Sequence, residues 1–388
     1  MRRILVSIFA QWRRVAVVMA ALFCLTLDGC MVHEWPDEGI PASVEVELVF
    51  DTEFLPLRDV EYTRKTKTSP SDYNIRYQIR AYRALKNGGY DDKPQAEFIF
   101  TKEDVSSPDH MVTIDLPDGS YMLRVWADYV DDGEIRDKYY DTGDFCSIKV
   151  VEPYEGDTDF RDAFEGSSEV SVKRLGADAE KTRVRVNMDR PLAKFQIVAT
   201  DFYDLVTKAM EDYLSSKEYE EFLQTRHRGT PPQSSDSECR FDVSSSDRLP
   251  EDSSKAAWDP TKAPGFDPED YRIVIYYTSY LPTEYNMLTG KPIDAKTGME
   301  FISCMQPLNE EEALIGFDYV IVNGIESSVN IQVALFAPDG DMISLSNAVT
   351  VPVMRGKLTT VRGKFLTLAT GGGIGIDPGF DGDFNLIF

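Results

Sequence analysis

Cysteine, histidine and clustered carboxylates are the side chains whose placement could do chemistry in this 388-residue chain. Cys30 has the most specific setting. It closes the stretch Leu25 to Cys30 (LTLDGC), with Leu27 three positions before it and the small Gly29 directly before it. That spacing is the pattern of a bacterial lipobox, in which the thiol takes a diacylglycerol and cleavage leaves the cysteine as first residue. Upstream lie Arg13, Arg14 and an apolar run from Val15 to Leu27. The run falls short of the roughly 20 apolar residues of a spanning helix. It has the length of a signal-peptide core. No A-x-A-like site lies within a few residues, which favours the lipobox over an ordinary secretory signal, although Asp28 is an unusual neighbour for the cut. The residues around Arg13-Arg14 do not support a twin-arginine signal. Acyl chains contribute about 0.8 kcal/mol per buried CH₂, so more than one is needed for stable anchoring.

The other candidates are weaker. His33, His110 and His227 are the three histidines, and no pair has zinc spacing. G-x-S-x-G, H-E-x-x-H and Walker patterns are absent. No catalytic residue is therefore assigned, and an enzyme is not expected. Paired carboxylates arise by chance in so acidic a chain. The tract Gly371 to Asp383 (GGGIGIDPGFDGD) contains one copy of a calcium β-roll unit, which needs stacked repeats to share ligands. Two readings stand: Asp377, Asp381 and Asp383 hold a calcium ion, or a glycine loop turns with its aspartates in water. EF-hand spacing is not met. Tyr139 and Tyr140 are candidate exposed rings for stacking on sugars, against the alternative that they face a core. Arg64-Lys65 is a candidate protease site, against a solvated loop. Cys146, Cys239 and Cys304 are widely spaced and odd in number, so no disulfide framework is implied.

Charge narrows the partners. The formal net charge is −25, from 41 basic and 66 acidic side chains. Cleavage before Cys30 would remove Arg2, Arg3, Arg13, Arg14 and Asp28, leaving 37 basic and 65 acidic groups, a net of −28. Such a body repels nucleic acid and anionic bilayers, so a covalent lipid would have to hold it at a membrane.

The elements that must carry these residues read as β. After a signal segment, 1–29, and a Pro- and Gly-containing tether, 30–42, short alternating runs separated by turn signals fill 43–180. Val44 to Phe50 (VEVELVF) alternates as a half-buried strand. Ile75 to Tyr82 sets Ile75, Tyr77, Ile79 and Ala81 against Arg76, Gln78 and Arg80. Tyr121 to Tyr129 is the strongest strand, entered through the turn Pro117-Asp118-Gly119. A second half, 181–388, repeats the pattern with one amphipathic helix over 201–224. Phe202, Leu205, Val206, Ala209, Met210, Tyr213 and Leu214 share its apolar face, and Thr200 or Asp201 caps it. Residues 229–270, rich in Pro, Ser and Asp, are expected as a long mobile loop inserted in that half. The expected fold is mainly β, two tandem antiparallel β-sandwiches.

Several segments together resemble a known group. They are His33 to Pro36 (HEWP), Leu116 to Tyr121 (LPDGSY), Trp126 to Tyr129 (WADY) and Arg190 to Lys194 (RPLAK). Tyr280 to Asn286 (YLPTEYN), Asp318 to Gly324 (DYVIVNG) and Gly375 to Asp383 (GIDPGFDGD) complete the set. The chain resembles the fimbrillin-like lipoproteins of Bacteroidetes, close to the fimbrial anchor subunits, over nearly its whole length after Cys30. The resemblance implies transthyretin-like sandwiches, lipid on Cys30 and an outer-membrane, surface-displayed protein of a Gram-negative cell. It also implies other fimbrial subunits as partners, in an anchor, tip or accessory role. In related stalk subunits a cut after an arginine removes the first strand and a neighbour's strand fills the slot. Here Val44 to Phe50 would be that strand and Arg64 the cut, with retention favoured, as in anchor-type members. The competing expectation is a surface lipoprotein that binds glycan or protein ligands.

Overall fold

The computed structural model describes residues 42–50, 72–103, 109–173, 182–216, 263 and 265–368, with 384–387 in backbone alone. The first half supplies β1 (Ala42–Phe50), β2 (Tyr73–Arg83), β3 (Ala96–Lys102), β4 (His110–Leu116), β5 (Gly119–Asp131), β6 (Tyr140–Asp141), β7 (Ile148–Val150), β8 (Ala163–Val172) and β9 (Thr182–Met188). The second supplies β10 (Leu192–Ala199), helix α1 (Phe202–Leu214), β11 (Arg272–Tyr277), β12 (Leu281–Asn286), β13 (Lys291–Lys296), β14 (Glu300–Ser303) and β15 (Gln306–Pro307). It ends with β16 (Ala313–Ile321), β17 (Glu326–Phe336), β18 (Met342–Leu345), β19 (Val349–Met354), β20 (Leu358–Gly363) and β21 (Phe384–Ile387).

These strands form five sheets, ordered β4-β1-β9, β3-β2-β5-β8, β13-β12-β7-β6, β15-β16-β10-β20-β21 and β14-β11-β17-β18, with β19 also on β17. The chain is thus mainly β with one α-helix among the described residues. The pairings are not all antiparallel as expected: β1 with β9, β10 with β20 and β20 with β21 run parallel.

The first core lies where β4-β1-β9 faces β3-β2-β5-β8. Alternate residues Val44, Val46, Leu48 and Phe50 meet Ile75, Tyr77, Ile79, Leu123 and Val125, all 3% exposed or less. Strand β9, placed in the second half by the sequence reading, sends Val184, Val186 and Met188 into this first core. A second core fills the space among Phe195, Ile197, Ile273, Ile275, Ile331, Val333 and α1. Strand β16 is buried along its whole length, with Phe317 and Tyr319 in the first core and Ala313 and Ile315 in the second. Its near-continuous apolar run is what burial on both faces requires.

Two local features depart from expectation. The helix stops at Leu214, where the sequence pattern ran on to 224; residues 217–224 lie outside the described residues. Ser216 supplies the reason: its N–H and its hydroxyl both donate to the Tyr213 carbonyl, the acceptor that a continuing helix would have offered four residues on. Asp201 occupies the N-cap position without capping. Its carboxylate instead accepts from the backbone N–H groups of Phe365, Leu366 and Thr367, at 2.8–3.2 Å. The aspartate thereby staples the chain after β20 to the start of α1.

A first strand sealed on both sides, and the junction beside it

Strand β1 is the element on which the functional expectation turned. It is the middle strand of its sheet, antiparallel to β4 from Ala42↔Leu116 to Leu48↔His110 and parallel to β9 from Val44↔Thr182 to Phe50↔Met188. Phe50 sits edge-on to Phe164 at 4.9 Å and to Tyr77 at 6.2 Å. On the opposite face Glu45 accepts from the Arg183 guanidinium at 2.9 Å, and the Ser43 hydroxyl donates to Asp115 at 2.7 Å. Burying each of the four inward side chains contributes about 1.5–3 kcal/mol. Lifting β1 out would open a slot lined by hydrogen-bonding edges of β4 and β9 and by four vacated apolar pockets.

Beyond that sheet, charged and phenolic groups are packed where the two halves meet. Asp318 on β16 is fully buried and accepts from Tyr154 and Tyr277 hydroxyls, each at 2.5 Å, from Arg161 at 3.2 Å and from the Tyr319 N–H at 2.8 Å. Burial raises its pKa, and Arg161 and the two phenols pull it back. Four donors at one carboxylate favour its ionised form. Arg190 makes a two-point contact with buried Asp162, 2.6 Å at each oxygen. Lys194 reaches Asp159 at 2.6 Å. Arg355 holds Glu165, which also accepts from the Tyr285 hydroxyl at 2.5 Å.

The hairpin β12–β13 completes the junction. Through Glu284↔Lys149 and Tyr285↔Ile148 it adds to β7, so one sheet is shared by the two halves. That sheet roofs the outer face of β2 and β5. Beneath it Arg76 pairs with Asp128 and Asp137, Gln78 donates to Thr142, and Arg80 lies 4.0 Å over the Phe145 ring. Beside the junction a cleft of about 670 Å³ is bordered by Tyr139, Tyr154, Glu155, Met299 and Phe301. Gly156 is needed there: a Cβ at that position would overlap the Phe301 ring.

The structure distributes the sequence candidates widely. Tyr139 is 6% exposed and Tyr140 is 1% exposed. Their hydroxyls contact the Tyr73 hydroxyl at 3.2 Å and the Arg161 carbonyl at 2.6 Å. Both rings pack into the first core, Tyr140 from within the shared sheet and Tyr139 at the border of the cleft. Cys30, Arg64, Asp377, Asp381 and Asp383 lie outside the described residues, as does 217–262, most of the expected inserted loop. Cys146 and Cys304 are free thiols. Among the described residues no group of three His, Cys, Asp or Glu could hold a metal ion, and no helix is long and apolar enough to cross a membrane. What the sequence reading missed is the charged junction. Its one local signal is the charged trio Asp159, Arg161 and Asp162, and nothing there names the distant partners.

The family described as "Family of unknown function (DUF6562)" matches residues 40–387. No curated protein matches the chain. Among solved structures it is similar to the fimbrial anchor protein Mfa2 from Porphyromonas gingivalis, at 13% identity over 79% of this chain and 82% of that one, with a TM-score of 0.32. It is also similar to a fimbrial assembly protein from Parabacteroides distasonis, at 8% identity over 84% and 92%, with a TM-score of 0.36. These names fall in the group the sequence resembles.

Proposed function

The chain belongs to that family of unknown function, matched over residues 40–387, and we propose that it is a lipid-anchored structural protein of the bacterial cell surface. Its role is that of a fimbrial-type anchor, tip or accessory subunit, with Cys30 as the lipidated residue and the outer membrane as its support. In this reading the two cores belong to two transthyretin-like sandwiches, the lipid is the one covalent addition, and the chain does no catalysis.

The observation that carries the reading is β1. Strand complementation works because an opened sheet gains backbone bonds and side-chain pockets from an added strand. Here the chain's own first strand occupies the middle of the sheet, with Val44, Val46 and Leu48 fully buried. A subunit filled from within does not need a neighbour at that slot. It suits the end of a fibre, where the chain keeps both its first strand and the segment leading to the lipid. Other subunits would join at other sheet edges.

The test is made on native surface material. Fibres sheared from the host are probed for this chain at their base, and its N-terminal peptide is analysed by mass spectrometry. The expected peptide begins at an acylated Cys30 and runs through an uncut Arg64. Cys30→Ala is expected to release the chain from the membrane fraction. An unacylated residue 30 in the native host would sink the anchored reading, and a chain beginning at Lys65 would sink retention of β1.

A further inference from the structure

One groove brings together two arginines that hold no carboxylate. Many arginines hold carboxylates: Arg76 with Asp128, Arg161 with Asp318, Arg190 with Asp162, and Arg355 with Glu165. Arg83 and Arg272, on different strands, make no ion pair among the described residues. Arg124 and Arg185 make no ion pair among the described residues, in a chain where acids outnumber bases 66 to 41. Both border one groove of about 380 Å³, together with Ser167, Ser168, Asn187, Asp189 and Glu165, whose charge Arg355 already holds.

The strands explain the juxtaposition. Arg124 on β5 is the cross-strand partner of Ser167 on β8. Arg185 and Asn187 alternate with buried Val184, Val186 and Met188 on β9, so they face outward. Gly166 lets the two strands close up, since a Cβ there would stand 2.5 Å from the Asn187 carbonyl oxygen and 2.7 Å from Val186. Reciprocal backbone bonds between Glu165 and Asp189, both 2.8 Å, pin the crossing. Arg124 has a long 3.5 Å contact to the Met287 carbonyl and lies 6.0 Å from the centre of the Tyr82 ring, neither of which supplies a counter-charge. Arg185 stands in register with Glu47 on β1 yet forms no ion pair with it.

The chemistry selects the ligand. Two guanidinium groups without counter-ions suit an anion and favour a planar carboxylate. Asp189, which makes no ion pair, would repel a doubly charged phosphate more than a singly charged carboxylate, and it accepts well from hydroxyls. Met287 is the one large apolar side chain on the lining, so a peptide's side chains would find no pockets. The volume lies within the usual range of small-ligand sites, about 300–1,000 Å³. We propose that this groove binds a carboxylate-bearing sugar unit of an anionic polysaccharide. Arg124 and Arg185 take the carboxylate, and Asp189, Asn187 and the two serines take ring hydroxyls. The site does not rest on the fibre reading; either can fail while the other stands.

Calorimetric titration of the full chain with oligogalacturonate, sialyllactose, a neutral galactose oligomer and inorganic phosphate tests the assignment. At least one acidic sugar should bind, with affinity falling as NaCl is raised, and the neutral oligomer should not. Arg185→Ala lies on the surface, leaves the cores intact and should weaken binding at least tenfold; Arg124→Ala should do the same, with circular dichroism reporting the fold. Equal binding of neutral and acidic sugars overturns the proposal. So does phosphate binding as tight as the sugar, binding unchanged by Arg185→Ala, or no binding of either acidic sugar.

Discussion

Asp318 has no exposed surface, and its charge is held by one guanidinium, two phenols and one backbone N–H. Removing the guanidinium leaves a buried carboxylate without its counter-charge. Such losses cost about 3–5 kcal/mol. Arg161→Met should therefore lower the urea midpoint by the equivalent of about 3–5 kcal/mol, and Tyr277→Phe by about 1–3 kcal/mol for one charged hydrogen bond. Buried phenols across the junction report on pH. Burial pushes the Tyr129, Tyr277 and Tyr319 hydroxyls well above the ordinary tyrosine value. An unfolded tyrosine loses its proton near about pH 10. Above that pH the folded chain binds more protons than the unfolded one, so stability is whole below about pH 10 and falls as pH rises. Tyrosinate absorbance from these rings should appear together with loss of the fold, not ahead of it. Residue identity hid part of this. The alternation in β2 shows plainly that Ile75, Tyr77 and Ile79 face a core. It equally suggests that Arg76, Gln78 and Arg80 face water, yet they are 1%, 4% and 7% exposed. No residue of β2 announces the sheet that covers it.

At the scale of elements, strands with strict period-two patterns were legible, β1, β4 and β9 above all, because one face is core and the other solvent. The hairpin β12–β13 was not. Pro282 and Pro292 demote its runs as strands, and it is held by partners more than 130 residues away, such as Lys149 for Glu284. The helix face was legible and its end was not, since a serine rather than a glycine stops it. Close strand contacts make a sharper prediction. At Gly156 an added methyl must displace the Phe301 ring, which is 3% exposed and packed against Tyr154 at 6.5 Å. Gly156→Ala should cost about 1–3 kcal/mol by overpacking, read as a drop in thermal midpoint. In β1, Leu48→Ala should cost about 2–5 kcal/mol through a buried cavity, whereas Glu47→Ala on the solvent face should stay within about 0.5 kcal/mol.

Across the whole molecule, the sheet β13-β12-β7-β6 and the pairs Arg161–Asp318 and Arg355–Glu165 tie the two cores together. Two sandwiches joined only by a linker would melt separately. This chain should unfold in one calorimetric transition, with van't Hoff and calorimetric enthalpies equal. Arg355→Ala should lower that transition or split it in two; a wild-type scan with two resolved peaks would contradict the coupling. Whatever holds the chain upstream of residue 42 pulls first on β1, whose neighbours grip it along both edges from Ala42 to Phe50. A tension applied at its N-terminal end runs lengthwise along the strand, so the ladder bonds share the load instead of breaking one at a time. The N-terminal end of this body is thereby built to resist being unzipped.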